Sequence, residues 1–270
     1  MPACRNRTET FVFIPDTKIM IIAQISDTHI AHDVEDKTRR VEELARTIAD
    51  INALAYQPDV IVHTGDVAHN GLEGEYDDAH TAMLEAKAPV FVLAGNKDNR
   101  RNLKQAFADQ GYLNASTDFI EYEINDFPLK LVMVDTVSTQ SNKGAYCAAR
   151  LDSLIRLASN PQGKPIVVFA HHPPFEALQC PDPFQFEDED SMQRLRDGLS
   201  EIEGLTGVFC GHVHRFDWGE VAGIRATALP SIATELRKGI YPGWMDNRPV
   251  YQLHRYDAEV GFITETRIVP

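Results

Sequence analysis

Residues 19–29 read IMIIAQISDTH, an apolar run that ends in two potential metal-binding side chains, Asp27 and His29. A continuous apolar run of this length is typical of a strand buried on both faces of a parallel sheet. Apolar positions then recur at helical spacing through residues 37–55. A buried strand followed by an amphipathic helix is the repeating unit of an α/β fold.

The same alternation continues along the chain. We expect further strands in PDVIVHTGD, PVFVLAGN, PIVVFAHHPP and GVFCGHVH, and a hairpin formed by FIEYEI and LKLVMVD. Helices are predicted around residues 75–87, 101–109, 148–159 and 190–200. From residue 215 onward the segments are short and alternating, which indicates strands and loops. No repeat or linker interrupts the pattern, so we predict one domain over residues 20–270.

Composition excludes several classes of protein. The 270 residues contain 40 Asp and Glu against 26 Lys and Arg, a formal net charge of −14. Such a chain repels phosphate at long range, so nucleic acid polymers and anionic membranes are not expected partners. No apolar run reaches the roughly 18 residues of a membrane span. The four cysteines (4, 147, 180 and 210) form no CxxC pair, which argues against a disulfide framework and favours a reducing cytoplasm.

The first nineteen residues form a weaker segment. MPACRNRTETFVFIPDTKI lacks the apolar centre and cleavage site of a signal peptide. We treat residues 1–19 as an uncertain N-terminal extension. An extra strand, a loose arm and a misassigned start are all open interpretations.

Five predicted strands end in potential metal ligands: SDTH (26–29), TGD (64–66), AGNKD (94–98), AHHPP (170–174) and CGHVH (210–214). The carboxyl ends of strands in an open α/β sheet converge on one edge, where ligands bind. Glycines at 65, 95 and 211 precede the polar residues, where a tight turn or a close backbone approach would need them.

Each motif has an ordinary structural interpretation. DxH is a common helix-entry turn, and GD and GN are generic turn pairs. Two adjacent histidines at a strand end are harder to explain, because burying imidazoles without partners is costly. GHVH also places two histidines on one face of an extended segment. The joint occurrence of all five termini favours a metal centre.

The candidate ligands are oxygen and nitrogen donors without a thiolate, a set that suits Mn, Fe or Zn. They are Asp27, His29, Asp66, Asn96, His171, His212 and His214. Seven ligands are too many for one tetrahedral ion but suit two ions that share a carboxylate. Two ions of this kind bind a phosphoryl group and activate water near neutral pH.

In order and spacing, these motifs resemble the calcineurin-like metallophosphoesterases, whose pattern DxH, GD, GNH[DE], a later His and GHxH covers residues 27–214. The resemblance implies a four-layer αββα sandwich of two mixed β-sheets. It also implies that Asp27, His29 and His214 hold one metal, that Asn96, His171 and His212 hold the other, and that Asp66 bridges them together with a hydroxide that attacks phosphorus. His172 would orient a ligand or line the cleft.

One position departs from the family pattern. The sequence reads GNKD, so Lys97 stands where the family has a histidine that contacts phosphate and is thought to protonate the leaving oxygen. Lysine still supplies positive charge to a phosphate oxygen. It is a poor proton donor, because lysine side chains ordinarily titrate near a pKa of about 10.4. A natural variant is favoured over a weakened enzyme or an engineered change, and Lys97, Asp66 and Asn96 are the expected catalytic residues.

The chain length and the HHPP motif look most like the class III cyclic-nucleotide phosphodiesterases and the related glycerophosphodiesterases. The predicted function is therefore hydrolysis of a small phosphodiester. A phosphomonoesterase or nucleotide pyrophosphatase on the same site is the alternative, and a non-catalytic scaffold is disfavoured because all seven ligand positions are filled. Relatives in the family often form dimers, so a homodimer is a further expectation.

Other polar residues receive structural interpretations. Asn70 is expected to reach the cleft, whereas His69 is interpreted as a surface-loop histidine and His63 as a core or sheet residue. The acidic run 187–190 is read as a helix start rather than a flap. For the segment 173–183, a pocket wall, core packing and a dimer contact are all open interpretations.

Overall fold

The structure is a computed structural model that describes residues 19–113, 116–160 and 162–270. Its strands are β1 Met20–Ile25, β2 Val60–His63, β3 Val90–Val92, β4 Tyr122–Ile124, β5 Lys130–Val134, β6 Ile166–Ala170, β7 Leu205–Cys210, β8 Asp217–Val221, β9 Ile224–Ala228, β10 Val250–Asp257 and β11 Gly261–Ile268. The helices are α1 Arg39–Ala53, α2 Glu73–Leu84, α3 Arg100–Ala106, α4 Ala148–Leu157 and α5 Glu189–Ser200, with short 3₁₀ turns at Ala108–Gln110, Thr234–Leu236 and Gly243–Met245.

The strands form two mixed sheets. The first has the order β11-β10-β1-β2-β3, and the second has the order β4-β5-β6-β7-β9-β8. Within the first sheet β1, β2 and β3 are parallel, with Ile22 opposite Val60, whereas β10 pairs antiparallel to β1. In the second sheet β5, β6, β7 and β9 are parallel. The parallel strands therefore direct their carboxyl ends, and the polar turns that follow them, to one region.

Alternate residues along the strands of the second sheet belong to two different hydrophobic clusters, which separate the layers of the fold. Leu131, Met133 and Phe169 belong to the hydrophobic cluster that contains β1 and β2 and the buried residues of α1, α2 and α3. The intervening residues Val132 and Val168 belong to a separate cluster with the apolar faces of α4 and α5. Successive strand residues point to opposite faces, so one face packs on the first sheet and the other on helices. The predicted four-layer sandwich of two mixed sheets is confirmed.

The predicted elements appear with boundaries shifted by a few residues. The expected hairpin is β4 paired antiparallel with β5. The C-terminal segment does form strands, but no local pattern predicted that β10 lies inside the first sheet beside β1. The N-terminal extension predicted over residues 1–19 lies outside the described residues except for residue 19, and the single-domain interpretation stays a prediction.

Two further segments have structural roles. In the acidic run, the Asp188 carboxylate caps α5 by accepting the Ser191 N–H at 2.6 Å, as expected of a helix start. In the 173–183 segment, Phe175 is buried against the second hydrophobic cluster, so this residue packs in the core. Cys147, Cys180 and Cys210 are free thiols. None of the helices in the described part of the chain has the length and apolarity that a membrane crossing requires.

Candidate metal centre

The turns after β1, β2, β3, β6 and β7 bring all seven predicted ligands together. Their ligand atoms form two groups on either side of Asp66. In the first group, His29 Nε2 lies 3.0 Å from His214 Nε2 and 3.4 Å from Asp66 Oδ2, and His214 Nε2 lies 3.2 Å from Asp27 Oδ1. These four side chains converge closely enough to hold one metal ion.

The second group faces the other oxygen of the same carboxylate. His171 Nε2 lies 3.5 Å from Asp66 Oδ1 and 3.1 Å from Asn96 Oδ1, and His212 Nδ1 lies 2.9 Å from Asn96 Oδ1. Donor atoms bound at about 2.1 Å to one ion lie roughly 3.0–3.5 Å apart at octahedral to tetrahedral angles. Both groups therefore have the spacing of a coordination shell.

The backbone is strained at these positions. Asp27, His29, Asp66, His212 and His214 all have positive φ, between 47° and 71°. Each such non-glycine residue costs on the order of 1–3 kcal/mol, a cost that persists only where the surrounding structure imposes the conformation. The left-handed turns point side chains from different strands toward one centre, which links the strain to the site.

Two glycines permit the close approach of these turns. A Cβ on Gly95 would lie 2.2 Å from both the backbone nitrogen and Oδ1 of Asp66. A Cβ on Gly211 would lie 2.1 Å from Ser26 Oγ and 2.8 Å from Asp27 Oδ2. Neither distance is compatible with a side chain, so glycine is required at both positions for the candidate carboxylates to occupy their places.

Burial and charge act against each other on the pKa values of the centre. Burial raises the pKa of Asp27, but His214 overrides it and the value falls to about 2. The pKa of Asp66 lies well below its ordinary value despite burial, because His171 and His29 are adjacent. Burial lowers the pKa of His171, but Asp66 raises it to about 9. Two ionised carboxylates thus attract positive charge to the centre, where metal ions compete with protons for imidazole nitrogens.

The same residues fit metal ions by two further criteria. Asp27 Oδ1 is buried and accepts no hydrogen bond from the described residues, and its one close polar neighbour is another candidate ligand, His214 Nε2 at 3.2 Å, so a metal ion between them would satisfy both atoms. Burial lowers the pKa of His29 and of His212 to about 3, so both rings are neutral at pH 7, as nitrogen ligands must be.

His172 lies beside the second group but has both ring nitrogens engaged. Its Nδ1 lies 2.8 Å from Thr136 Oγ1, and its Nε2 lies 3.1 Å from the Asn142 carbonyl oxygen. The ring would have to give up a hydrogen bond to bind a metal. This position matches the expected lining role, because Asn142 Oδ1 in turn lies 3.4 Å from Asn96 Nδ2.

Lys97 contributes to the site through both its backbone and its side chain. Its N–H donates to Asp66 Oδ1 at 2.7 Å, which fixes the shared carboxylate. Its Nζ lies 3.5 Å from Asn142 Oδ1 at the rim of the cleft. The ammonium group therefore stands next to the centre rather than paired with a carboxylate.

The remaining histidine and asparagine interpretations hold only in part. His69 does lie in the loop after β2 and is partly exposed, but its ring also reaches the centre, with Nδ1 3.2 Å from His29 Nδ1. The Asn70 amide donates to Asp33 and Glu75 instead of pointing at the ligands. His63 is fully buried, as expected of a core residue.

Sequence reasoning also missed Asp98 as a support for the centre. Its carboxyl group accepts the backbone N–H groups of Gly95, Val67 and Ala68, and the Tyr76 hydroxyl. Burial and the nearby Asp66 raise the pKa of this carboxyl group to about 7, although the backbone N–H donors act to lower it. The acidic residue after GNK was visible in the sequence, but Val67 and Ala68, which donate to it, lie about thirty residues upstream.

The fold and the site define a metal-dependent hydrolase of phosphoric esters. The chain belongs to the calcineurin-like phosphoesterase family, whose model matches residues 20–216. It is 30% identical over 262 residues to a probable glycerophosphodiester phosphodiesterase GpdQ from Arcobacter nitrofigilis, covering 93% of each chain. It is 25% identical to the 3',5'-cyclic adenosine monophosphate phosphodiesterase CpdA of Escherichia coli K12, covering 92% of each. A dimetal phosphatase from Danio rerio shares the fold, with a TM-score of 0.66, 14% identity and coverage of 93% and 99%.

Proposed function

We propose that this protein hydrolyses a small phosphodiester, a cyclic nucleotide or a glycerophosphodiester, at a centre of two metal ions. The observation that carries the proposal is the orientation of Asp66, which presents Oδ2 to one group of ligands and Oδ1 to the other. The names of the relatives, a glycerophosphodiester phosphodiesterase and a cyclic adenosine monophosphate phosphodiesterase, support the choice of diester.

In this proposal Asp27, His29 and His214 hold one ion, Asn96, His171 and His212 hold the other, and Asp66 is shared. The donor set suits Mn, Fe or Zn. Ions held by these residues would polarise a phosphoryl oxygen, lower the pKa of water to near neutral and supply local positive charge in a protein whose net charge is −14.

The chain's own residues position the substrate. The Lys97 ammonium group, at the rim of the cleft, pairs with a non-bridging oxygen of the phosphate and stabilises the charge that develops there. A lysine transfers protons poorly near neutral pH. We therefore expect diesters whose leaving groups need no protonation to react best.

Substrate class is tested by rates with added Mn²⁺ on bis(p-nitrophenyl) phosphate and on p-nitrophenyl phosphate, followed by cyclic nucleotides, glycerophosphodiesters and dinucleotide pyrophosphates. Faster turnover of the diester is expected, and Asn96→Ala should abolish most of it while Asn125→Ala, at an exposed loop position, should not. Faster turnover of the monoester would instead establish a phosphomonoesterase, and turnover confined to dinucleotide pyrophosphates a nucleotide pyrophosphatase.

The role of Lys97 is tested by leaving-group dependence. For a series of aryl phosphodiesters, the rate of the native protein should depend more steeply on leaving-group pKa than the rate of Lys97→His, because histidine can donate a proton. Equal slopes for the two proteins would show that Lys97 is not the reason for any preference.

A homodimer and a cytoplasmic location belong to the same proposal. The first is tested by light scattering of the purified protein, where a mass near 30.3 kDa would indicate a monomer. The second is tested by fractionation of cells that express the full chain.

A further inference from the structure

The ligand histidines differ in what holds the ring nitrogen that faces away from the centre. His171 Nδ1 donates to the backbone carbonyl of Thr64 at 2.8 Å, and His214 Nδ1 donates to the carbonyl of Leu236 at 3.0 Å. A carbonyl accepts only, so each of these rings is fixed with its proton on Nδ1 and its lone pair on Nε2. Both rings therefore present Nε2 to the centre.

His29 has no carbonyl in the corresponding place. Its Nε2 faces the centre, but its Nδ1 lies 3.2 Å from the Nδ1 of a second histidine, His69. The two rings meet edge to face, with their centroids 5.3 Å apart. His69 is thus the side chain that takes the place a backbone carbonyl takes behind His171 and His214.

The backbone around His29 leaves its ring orientation to this contact. The His29 N–H donates to the Asp66 carbonyl at 3.0 Å, and the His29 carbonyl accepts from Arg40 at 2.7 Å. These bonds fix the main chain, but neither constrains rotation of the imidazole about its own bond. On the opposite side the ring meets His214, another ligand.

Two facing imidazole nitrogens attract each other only when one of them carries a proton. Because His29 Nε2 must keep its lone pair to bind a metal, its proton resides on Nδ1 and is donated to His69 Nδ1. His69 is then the acceptor, with its own proton on Nε2. Its position is held by its backbone N–H, which donates to the carbonyl of Ile30 at 2.8 Å.

We propose that His69 is a positioning residue that orients His29 and thereby sets the affinity of the ion held by Asp27, His29 and His214. The inference rests on the metal ligands of the proposed function. It predicts an asymmetry between the two ions, because the residues of the other group receive no support from His69.

The experiment is calorimetric titration of the metal-free protein with Mn²⁺ or Zn²⁺, which requires no turnover. His69→Leu keeps the branched shape but removes the acceptor, and loss of such a partner typically weakens metal binding about 10–100-fold. We expect that loss for one ion and native affinity for the other. His69→Asn should restore tight binding, because asparagine Oδ1, like histidine Nδ1, is bonded to Cγ and accepts hydrogen bonds.

His32→Asn is the matched control, since His32 lies three residues from His29 but is half-buried away from the centre and pairs with Asp78. Circular dichroism checks that each variant is folded. Native affinity for both ions in His69→Leu would overturn the inference, as would equal weakening of both or a failure of asparagine to restore binding. If the native protein itself bound no metal, the proposed function would fail together with the inference. An active native protein with an unaffected His69→Leu variant would remove the inference alone.

Discussion

The Asp98 carboxyl group ties together the two turns that follow β2 and β3. It accepts the backbone N–H groups of Gly95, Val67 and Ala68 at 2.8, 3.2 and 3.0 Å, and the Tyr76 hydroxyl at 3.1 Å. All three N–H groups are buried and have no freedom to turn elsewhere. The substitution Asp98→Asn keeps the size of the side chain and removes one acceptor, so it isolates the contribution of this link.

The hydrogen bonds of Asp98 determine how much stability Asp98→Asn should lose. The asparagine oxygen can replace Oδ2 and accept from Gly95 and Val67. Its amide group then faces the Ala68 N–H and the Tyr76 hydroxyl, the two donors that Oδ1 served. A buried donor left without a partner costs about 1–3 kcal/mol. The raised pKa of Asp98 means that folding disfavours its ionised form, so removal of the charge offsets part of this loss. We therefore expect the free energy of unfolding to fall by about 1 kcal/mol at most. We also expect metal affinity to fall, because the turns that carry Asp66 and the Asn96 ligand are no longer held together.

The assay is urea unfolding at pH 8 with a chelator present, so that metal binding does not contribute. The pH lies above the pKa of Asp98, which is about 7, so the native reference is the carboxylate. Asp152→Asn, at an exposed position of α4, is the control and should change the free energy of unfolding by less than about 0.5 kcal/mol. The reasoning is refuted if Asp98→Asn is as stable as this control and binds metal with native affinity.

Three other predictions follow from the same structure. Gly95→Ala should weaken metal binding, measured by titration, by about tenfold or more. The added Cβ would lie 2.2 Å from Asp66 Oδ1 and would push this carboxylate out of place. The control is Gly243→Ala, whose Cβ meets no atom closer than 3.9 Å and which should bind metal normally. Burial lowers the pKa of His254 to about 3. Below about pH 6.5 the unfolded chain therefore binds a proton at this residue that the native state does not bind. As the pH is lowered, this residue reduces the free energy of unfolding by about 1.4 kcal/mol per pH unit. His254→Gln should therefore show a shallower loss of stability between pH 6.5 and 5, and parallel curves would contradict the assignment. Mn²⁺ at a hundredfold excess over its dissociation constant should raise the free energy of unfolding by about 2.7 kcal/mol for each independently bound ion. A chelator should reverse the effect. An unchanged urea midpoint would exclude metal binding by the native state.

Local patterns in the sequence were sufficient for the layers of the fold. Strands such as β1 and β6 are continuous apolar runs, and their helices carry the matching periodicity, so element type followed from burial alone. The position of β10 could not be foreseen, because its antiparallel partner β1 lies more than 220 residues away and pairing across such a distance leaves no local signal. The alternating residues of the C-terminal segment predicted a strand at β10, but not the sheet that contains it.

The candidate ligand residue types were likewise available from the sequence, because each of the seven sits in a short motif after a strand. What the tertiary structure decided is which atoms face each other. It placed one Asp66 oxygen in each group, gave His69 the place behind His29, and brought Asp98 to the N–H groups of a turn thirty residues earlier. The physical reason is that motifs record only neighbours along the chain, whereas these contacts arise between turns from different strands. Close approach at Gly95 and left-handed backbone at five of the candidate ligand positions make those contacts, and both are properties of the folded turns.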